Sequence, residues 1–178
     1  DFEQAYREIE VIHRSVEMII NACIEIPLIV EGNSPAKKVN RILNIKPNPF
    51  EDRVRLMRRA FLDFILDGNA FFYYDGQDLY VLPANDVEVV PDERTFVSHY
   101  NYLVSNQQSS DIFGFNRGAQ TKKSQAIQFE PQEIIHVMAE NDTSIFRGTS
   151  KLKPLLKLME LYHYMLKFQR QFFKNNAV

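Results

Sequence analysis

The periodicity of the apolar residues changes from helical to strand-like in the middle of the chain and returns to helical at its end. Apolar side chains recur at three- and four-residue steps over residues 2 to about 26, which predicts an amphipathic helix ended by Pro27. The same spacing predicts a second long helix over residues 50–65, with Gly68 as its left-handed C-terminal cap. Between these helices, residues 28–30 are predicted to be extended. Helices on both sides of a strand-rich middle indicate an α+β fold.

Aromatic and aliphatic runs on either side of Asp75-Gly76 give the strongest strand signal. Residues 71–74 and 79–82 fit paired strands, and Asp-Gly tolerates the positive φ of a tight turn, so we predict a hairpin with a loop of about two to four residues. Four further runs have strand composition: residues 87–90, 96–104, 126–129 and 134–138. They predict a small antiparallel sheet with a turn at Pro91-Asp92-Glu93 and a mobile loop at residues 106–124.

The last segment combines the most regular apolar face of the chain with a basic face. The apolar face is formed by Leu152, Leu155, Leu156, Met159, Tyr162, Leu166 and Phe173. The basic face carries Lys153, Lys157, Lys167 and Lys174. Thr149 or Ser150 is expected to cap the helix. Residues 151–178 contain six Lys or Arg and one Glu, a net charge of +5, so the other 150 residues carry −7 of the total of −2. This basic face is either a solvated surface or a contact for acidic groups.

Composition places the chain among globular proteins of one domain. Its 178 residues, 45% of them hydrophobic, suffice for one sizeable core, and a net charge of −2 does not mark the whole chain as a nucleic-acid binder. No apolar run reaches the roughly 18 residues that a membrane span needs. Cys23, the single cysteine, lies in an apolar helical pattern and is predicted to be a small buried side chain. The chain begins without Met and stops after a strong helix, so we expect a segment of a longer protein.

Residue types with catalytic or metal-binding chemistry are scattered along the chain. The four histidines, none of which has a second ligand at the short spacing common in metal sites, are His13, His99, His136 and His163. The sequence contains neither a phosphate-binding glycine loop nor a nucleophile elbow. His136 lies in an apolar run and is predicted to be a hydrogen-bonded core or edge residue. We therefore expect no catalytic residue, cofactor or metal. An enzyme that gathers His136, Glu140 and Asp142 in space remains an alternative.

Six short motifs occur in the order found in one family of viral proteins. They are VEMIINACIEIPLIV at residues 16–30, Lys46-Pro47-Asn48-Pro49, FLDFILDGNAFF at residues 61–72 followed by Leu82-Pro83, residues 129–137, residues 148–152, and Phe172-Phe173-Lys174-Asn175. This series resembles the HK97-like portal proteins of tailed bacteriophages. Its structural motif residues are Asn48, Pro49, Gly68, Asn69 and Gly148. The chain departs from the family at Asn176, where glycine is usual, and in the loop at residues 106–124, which matches nothing in the family.

The resemblance implies the N-terminal part of a portal subunit. The expected fold has long amphipathic helices packed on a small antiparallel sheet, as in the wing-like region of a portal, with a long C-terminal helix. A single domain is expected over residues 1–178. Its parts are helices plus a hairpin at 1–83, strands and the mobile loop at 84–147, and the long helix at 148–178.

The resemblance also implies a structural role without catalysis. Portal subunits form a ring, usually of twelve copies, at one capsid vertex, where a terminase motor threads double-stranded DNA and the tail joins the head. The implied partners are other copies, double-stranded DNA, terminase, the major capsid protein and the head–tail adaptor, with no membrane and no cofactor. The implied location is the virion, after assembly in the host cytoplasm.

In such a ring the basic face has one of two alternative roles. Its lysines contact either DNA in the channel or the acidic body of the next subunit, and we favour the second role. These lysines are Lys153, Lys157, Lys167 and Lys174. The alternative function is a sequence-independent nucleic-acid-binding module that uses the same helix.

Overall fold

The computed structural model describes residues 2–32, 34–104, 125–141 and 144–176, so the predicted loop at residues 106–124 lies outside the described part. The helices are α1 (Phe2–Glu8), α2 (Glu10–Ile24), α3 (Ser34–Asn44), α4 (Arg53–Leu66) and α5 (Leu156–Asn176), with short 3-10 helices at Ala84–Asp86 and Lys153–Leu155. The strands are β1 (Asn69–Tyr74), β2 (Leu79–Leu82), β3 (Val87–Asp92), β4 (Phe96–Val104), β5 (Gln125–Phe129) and β6 (Ile134–Met138). The predicted α+β class is confirmed, and the described strands form two small antiparallel sheets instead of one.

The first predicted helix is broken at Ile9, so the prediction of one continuous helix is wrong. Ile9 has φ −101° and ψ 105°, which is extended backbone. The break lets the Tyr6 hydroxyl donate to the Glu17 carboxylate at 2.7 Å and the Tyr6 ring stack on His13 with 4.6 Å between ring centroids. In one straight helix, residues eleven positions apart are separated by about 16 Å along the axis. These contacts therefore require the break.

Two asparagines of α3 hold the extended segment of residues 28–30. Asn44 Nδ2 donates to Leu28 O at 2.6 Å, and Asn44 Oδ1 accepts from Leu28 N at 3.2 Å. Asn40 pairs with Val30 in the same way, at 2.6 and 2.9 Å. Because Asn40 and Asn44 are four residues apart, both amides lie on one face of α3. Side-chain amides thus take the place of a neighbouring strand and keep this segment extended.

A buried asparagine organises the approach to α4. Asn48 is 1% exposed, its Oδ1 accepts from two backbone N–H groups after Pro49, and its Nδ2 donates to Leu79 O at 2.8 Å. Asp52 then caps α4. The prediction that the helix begins at Phe50 is wrong, because Asn48 folds this stretch into a turn in which the Phe50 side chain is 82% exposed. Pro49 lies in that turn and not in the first helical turn.

The first sheet has the strand order β2-β1-β6, with β1 in its centre. The predicted hairpin is confirmed: β1 and β2 pair from Phe71 opposite Leu82 to Tyr74 opposite Leu79, and residues 75–78 form the loop. Gly76 in this loop has φ +94°, the conformation that the Asp-Gly signal predicts. The other edge of β1 pairs antiparallel with β6, which returns from a distant part of the chain.

The second sheet has the order β3-β4-β5. Pro91 lies within β3, at a register shift that follows Val90. A proline is tolerated there because a bulge does not require its missing N–H group. The turn predicted at Pro91-Asp92-Glu93 therefore comes later, at residues 93–95. Phe96, the first residue of β4, has φ +72°.

Two apolar clusters hold the layers together. The larger cluster lies between α2, α4 and the first sheet, includes Val16, and extends to Met159 near the start of α5. The smaller cluster joins the two sheets around Phe71 and Tyr100, whose ring centroids are 6.0 Å apart. Cys23 is only half-buried, because it lies at the edge of the larger cluster, so the prediction of a buried cysteine is wrong.

Gly68 and Gly148 meet where α4, the first sheet and the segment before α5 come together. Gly68 has φ +89° and ends α4 as predicted. A Cβ atom on Gly148 would lie 2.1 Å from Gly68 O, and one on Gly68 would lie 2.4 Å from the carbonyl carbon of Thr149. Gly68 O also accepts from Ala139 N at 2.8 Å. Two glycines are needed here because any side chain would separate the backbones. We call this contact the glycine joint.

Ser150 ties the segment after the glycine joint to the end of α4. Its hydroxyl donates to Ile65 O at 3.1 Å, and its Oγ accepts from Leu152 N at 3.1 Å. The backbone N–H of Lys151 donates to the same Ile65 carbonyl at 3.1 Å. Ser150, one of the two predicted caps, thus caps a turn that leads through a 3-10 helix into α5. The predicted start of the long helix is therefore too early, since α5 begins at Leu156.

We expect Gly148→Ala to lower the free energy of unfolding by about 3 kcal/mol or more, because the new Cβ must displace backbone atoms of Gly68 or Ala139. Gly76→Ala is the matched control. Gly76 also has a positive φ, but its Cβ would meet nothing within 4 Å. Only the backbone conformation then opposes the substitution, at a cost of about 1 kcal/mol. Urea denaturation measures both losses. Equal losses in the two variants would contradict the importance of the glycine joint.

Candidate functional site

Helix α5 is anchored at its base and exposed along the rest of its length. Leu152 and Met159 are buried, whereas every residue of 160–175 is exposed. The helix has 21 residues and is therefore about 31 Å long. Large apolar side chains are included in this exposed surface; Phe168 and Phe173 are each 68% exposed. A helix with an uncovered apolar face needs a partner to bury it.

The four predicted lysines do not form one row. All four are exposed, but Lys153 lies in the 3-10 helix before α5. Lys157 and Lys167 are ten positions apart, which turns their side chains about 80° from each other around the helix. Lys167 and Lys174 are seven apart and share a face, which Arg170 also occupies. Arg170 was not among the predicted site residues, although its three-residue spacing from Lys167 indicates this basic stripe. Among the described residues, no ion pair includes a side chain of α5.

The two sheets and their loops carry the opposite charge. The described residues in 75–104 and 125–141 include nine Asp or Glu and a single Arg, Arg94, which gives a formal charge of −8. The segment from Lys151 onward carries +5. The chain therefore has an acidic region and a basic region in different structural elements. Such a molecule can form complementary contacts with a second copy of itself.

Asn69 lies at the centre of a hydrogen-bonded cluster next to the glycine joint. Its side chain is 0% exposed, its Oδ1 accepts from Gly148 N at 2.7 Å, and its Nδ2 donates to Asp67 Oδ1 at 2.6 Å. The Nε2 atom of His136 lies 3.0 Å from the same Oδ1. The structure thus brings together three of the motif residues, Gly68, Asn69 and Gly148, and places the other two, Asn48 and Pro49, before α4.

His136 is neutral in this cluster and carries its proton on Nε2. Asn69 Oδ1 is fixed as an acceptor because the amide nitrogen donates to Asp67, so Nε2 of His136 has to donate. Burial and the nearby Arg147 lower the pKa of His136 to about 4. The imidazole also stacks on Phe71, with ring centroids 4.2 Å apart. The prediction of a hydrogen-bonded core or edge histidine is confirmed.

Arg147 joins this cluster to the second sheet. Its guanidinium donates to Asp67 Oδ1 at 2.7 Å, to Val87 O at 2.6 Å and to Ala84 O at 3.1 Å. The guanidinium carbon lies 5.8 Å from the centroid of the Phe71 ring. Sequence analysis missed Arg147, because its partners are at least sixty positions away and no local pattern links them. The only signal is its position directly before the motif glycine Gly148.

The structure describes two of the three residues of the alternative enzyme site, and the described residues also bear on the requirements of a metal site. Within the described ranges, no group of three His, Cys, Asp or Glu is arranged to hold a metal ion. For the alternative enzyme site, His136 is engaged by Asn69, Glu140 is exposed and Asp142 lies outside the described residues. Burial raises the pKa of Asp63 to about 6, but this carboxylate accepts from a backbone N–H at 3.2 Å and holds the chain after β2. No described helix is long and apolar enough to span a membrane.

The lowered pKa of His136 predicts a pH dependence of stability. An unfolded histidine has a pKa near 6.5, so between pH 6.5 and 4 the unfolded chain binds a proton that the folded chain does not. The free energy of unfolding therefore decreases as the pH is lowered through that range. His136→Gln keeps a donor for Asn69 and removes this titration. We expect its stability relative to wild type to rise by about 2 kcal/mol from pH 7 to pH 4.5, as measured by urea denaturation.

The comparison between variants is needed because Asp63 acts in the opposite direction. Its pKa is raised to about 6, so the folded state binds the extra proton between pH 6 and 3.8 and gains stability as the pH falls. His163→Gln, which removes an exposed histidine of α5, is the matched control. A constant difference between His136→Gln and wild type across this range would contradict the neutral, buried state of His136.

Comparisons with known proteins identify a family from sequence and a shared fold from structure. The phage portal protein family matches residues 10–178. The portal protein of Escherichia phage T5 is 26% identical over 188 aligned residues, which cover 98% of this chain and 41% of that protein. Among solved structures, a chain from the neck of an empty gene transfer agent particle, computed with C6 symmetry, is similar over the whole chain and 48% of its own length, with a TM-score of 0.77 and 18% identity.

A second solved structure, the neck of a native gene transfer agent particle computed with C12 symmetry, is similar with a TM-score of 0.74 and 18% identity, over the whole chain and 46% of that structure's chain. These structural similarities support the fold. The chain thus spans less than half the length of the relatives that it matches. Because the family match extends over nearly all of the sequence, the chain belongs to the phage portal protein family.

Proposed function

We propose that this chain is the N-terminal part of a portal subunit that forms a ring, with twelve copies, at one vertex of a viral capsid. The observation that carries the proposal is the family match over residues 10–178. The similarity to a neck structure with C12 symmetry adds support for the number of copies. In this proposal, residues 1–178 are one portal-like domain with parts at 1–83, 84–147 and 148–178.

The proposed ring is a conduit for double-stranded DNA during packaging and ejection and the platform on which the tail joins the head. Its partners are terminase, the major capsid protein and the head–tail adaptor, and its location is the virion after assembly in the host cytoplasm. The role is structural, and the ring hydrolyses nothing. A net charge of −2 per chain fits a conduit, because a strongly basic wall would bind DNA phosphates and slow their passage.

We propose that the lysines of the basic segment contact the next subunit of the ring. In a cyclic ring each subunit meets its two neighbours through two different surfaces. This chain has such a pair, since the two sheets with their described loops (residues 75–104 and 125–141) carry −8 and the segment from Lys151 carries +5. Contact between these two regions pairs opposite charges at every interface. The second candidate is contact with DNA by Lys153, Lys157, Lys167 and Lys174. The solvent exposure of these lysines is as compatible with DNA contact as with contact between subunits.

We expect the full-length subunit to form a closed ring of about a dozen copies. Native mass spectrometry gives the mass of the particle, and negative-stain imaging gives its shape. The family relation and the two-sided charge distribution are the reasons for this expectation. A full-length subunit that stays monomeric at micromolar concentration would contradict the ring proposal.

We expect the double charge reversal Lys167→Glu/Lys174→Glu to weaken ring assembly at low salt, because both substitutions place carboxylates opposite the acidic sheets of the next copy. The effect should shrink as salt rises, since counterions screen exposed charges. Sedimentation across a salt series measures it. Lys37→Glu, on the exposed surface of α3, is the control for a general charge effect.

The same variants test the nucleic-acid-binding alternative. If α5 contacts DNA, the isolated subunit binds DNA with an affinity that falls steeply with salt. The slope then decreases by about 0.9 for each lysine that loses a phosphate contact. Unchanged ring assembly together with such a decrease would favour DNA contact over the contact between subunits.

A further inference from the structure

An apolar groove of about 640 Å³ lies between α2, α4 and the base of α5. Ile19 and Cys23 line it from α2, Phe64 lines it from α4, and Leu155, Leu158 and Tyr162 line it from the other side. Apart from Ser15, Lys151 and the Tyr162 hydroxyl, its lining is entirely hydrocarbon and sulfur. Nothing in this groove is suited to bind a charged or strongly polar ligand.

The side chains at the rim of the groove are exposed to solvent. Ile19 is 52% exposed, Val11 is 66% exposed and Leu158 is 62% exposed. A contiguous apolar surface of this kind is unfavourable in water and is rare on proteins that act as monomers. The groove is therefore expected to be covered in the functional state of the protein.

We infer that a second copy of this chain covers the groove in the ring, with the acidic sheet region of the neighbour lying against the basic border of the groove. This inference rests on the proposed ring. The charge at the border of the groove indicates which surface covers it. Lys151 lines the groove, with its ammonium 5.9 Å from the centroid of the Phe64 ring. Lys153 and Lys157 follow in the same basic segment. The two sheets with their described loops, which together hold nine carboxylates and one arginine, have the complementary charge.

The groove and the lysines together have the composition of a protein–protein interface. Stable interfaces have an apolar centre, where burial supplies most of the affinity, and a polar or charged rim. Here the apolar groove is the centre, and Lys151 forms part of the rim. Because a heterologous ring places the same two surfaces together at every contact, ring closure leaves no groove uncovered.

Cys23 reports directly on the groove, because it lies in the lining and is half-buried in the single subunit. We expect a maleimide to label Cys23 in the full-length monomer and at least tenfold more slowly in the assembled ring, with labelling located by peptide mass spectrometry. Ala22→Cys/Cys23→Ser is the control, since residue 22 is exposed on α2 and does not line the groove. We expect its labelling to be similar in monomer and ring.

A paired substitution tests the contribution of the groove to assembly. Ile19 and Met18 are neighbours on α2, both exposed and both apolar, but only Ile19 lines the groove. We expect Ile19→Asp to weaken ring assembly at least tenfold and Met18→Asp to leave it nearly unchanged. Sedimentation of the full-length proteins measures assembly, and circular dichroism of the monomers verifies that both variants fold.

The outcomes separate this inference from the proposed ring. Absence of a ring in the wild-type protein overturns the ring proposal itself. A ring in which Cys23 is labelled as fast as in the monomer overturns the groove inference alone. Slow labelling already in the monomer also overturns it, because another segment of the same subunit then covers the groove. Equal assembly of the Ile19→Asp and Met18→Asp variants has the same consequence.

Discussion

The close backbone contact between Gly68 and Gly148 determines how the other elements are arranged. Gly68 ends α4 and precedes β1, and Gly148, eighty positions later, begins the segment that becomes α5. Their approach sets the direction in which α5 leaves the body, since a side chain at either position would move the two layers apart. Asn69 and Ser150 add hydrogen bonds on either side of this contact. The base of α5 is thus held by these hydrogen bonds and backbone contacts together with the burial of Leu152 and Met159.

This arrangement leaves α5 firmly placed and largely uncovered. None of the described residues covers the aromatic side chains of α5, and exposed apolar surface of this kind lowers solubility without adding stability. In a ring the same surface becomes useful, since each copy presents it to the next in a fixed orientation. The rigidity of the base then matters for assembly: an interface made of a groove and its basic border requires that both keep their relative position.

Local chemistry explains which parts of the fold the sequence could predict. The hairpin and the Gly68 cap were predicted correctly, because Asp-Gly and a glycine after an apolar helix act on neighbouring residues alone. The break at Ile9 was not, because it depends on Tyr6 reaching Glu17. The division into two sheets depends equally on pairing between distant strands.

The same distinction applies to the candidate site. Asn69 and Gly148 were found from family motifs, whereas Arg147 acts only through partners far away in sequence. On the proposed ring, lysines that face acidic sheets are neutralised within the interfaces, so the surface left for DNA carries the excess negative charge of the chain. Charged borders accelerate the encounter of two copies, and the apolar centre slows their separation. A wall assembled in this way repels DNA phosphates weakly and lets the duplex pass without being held.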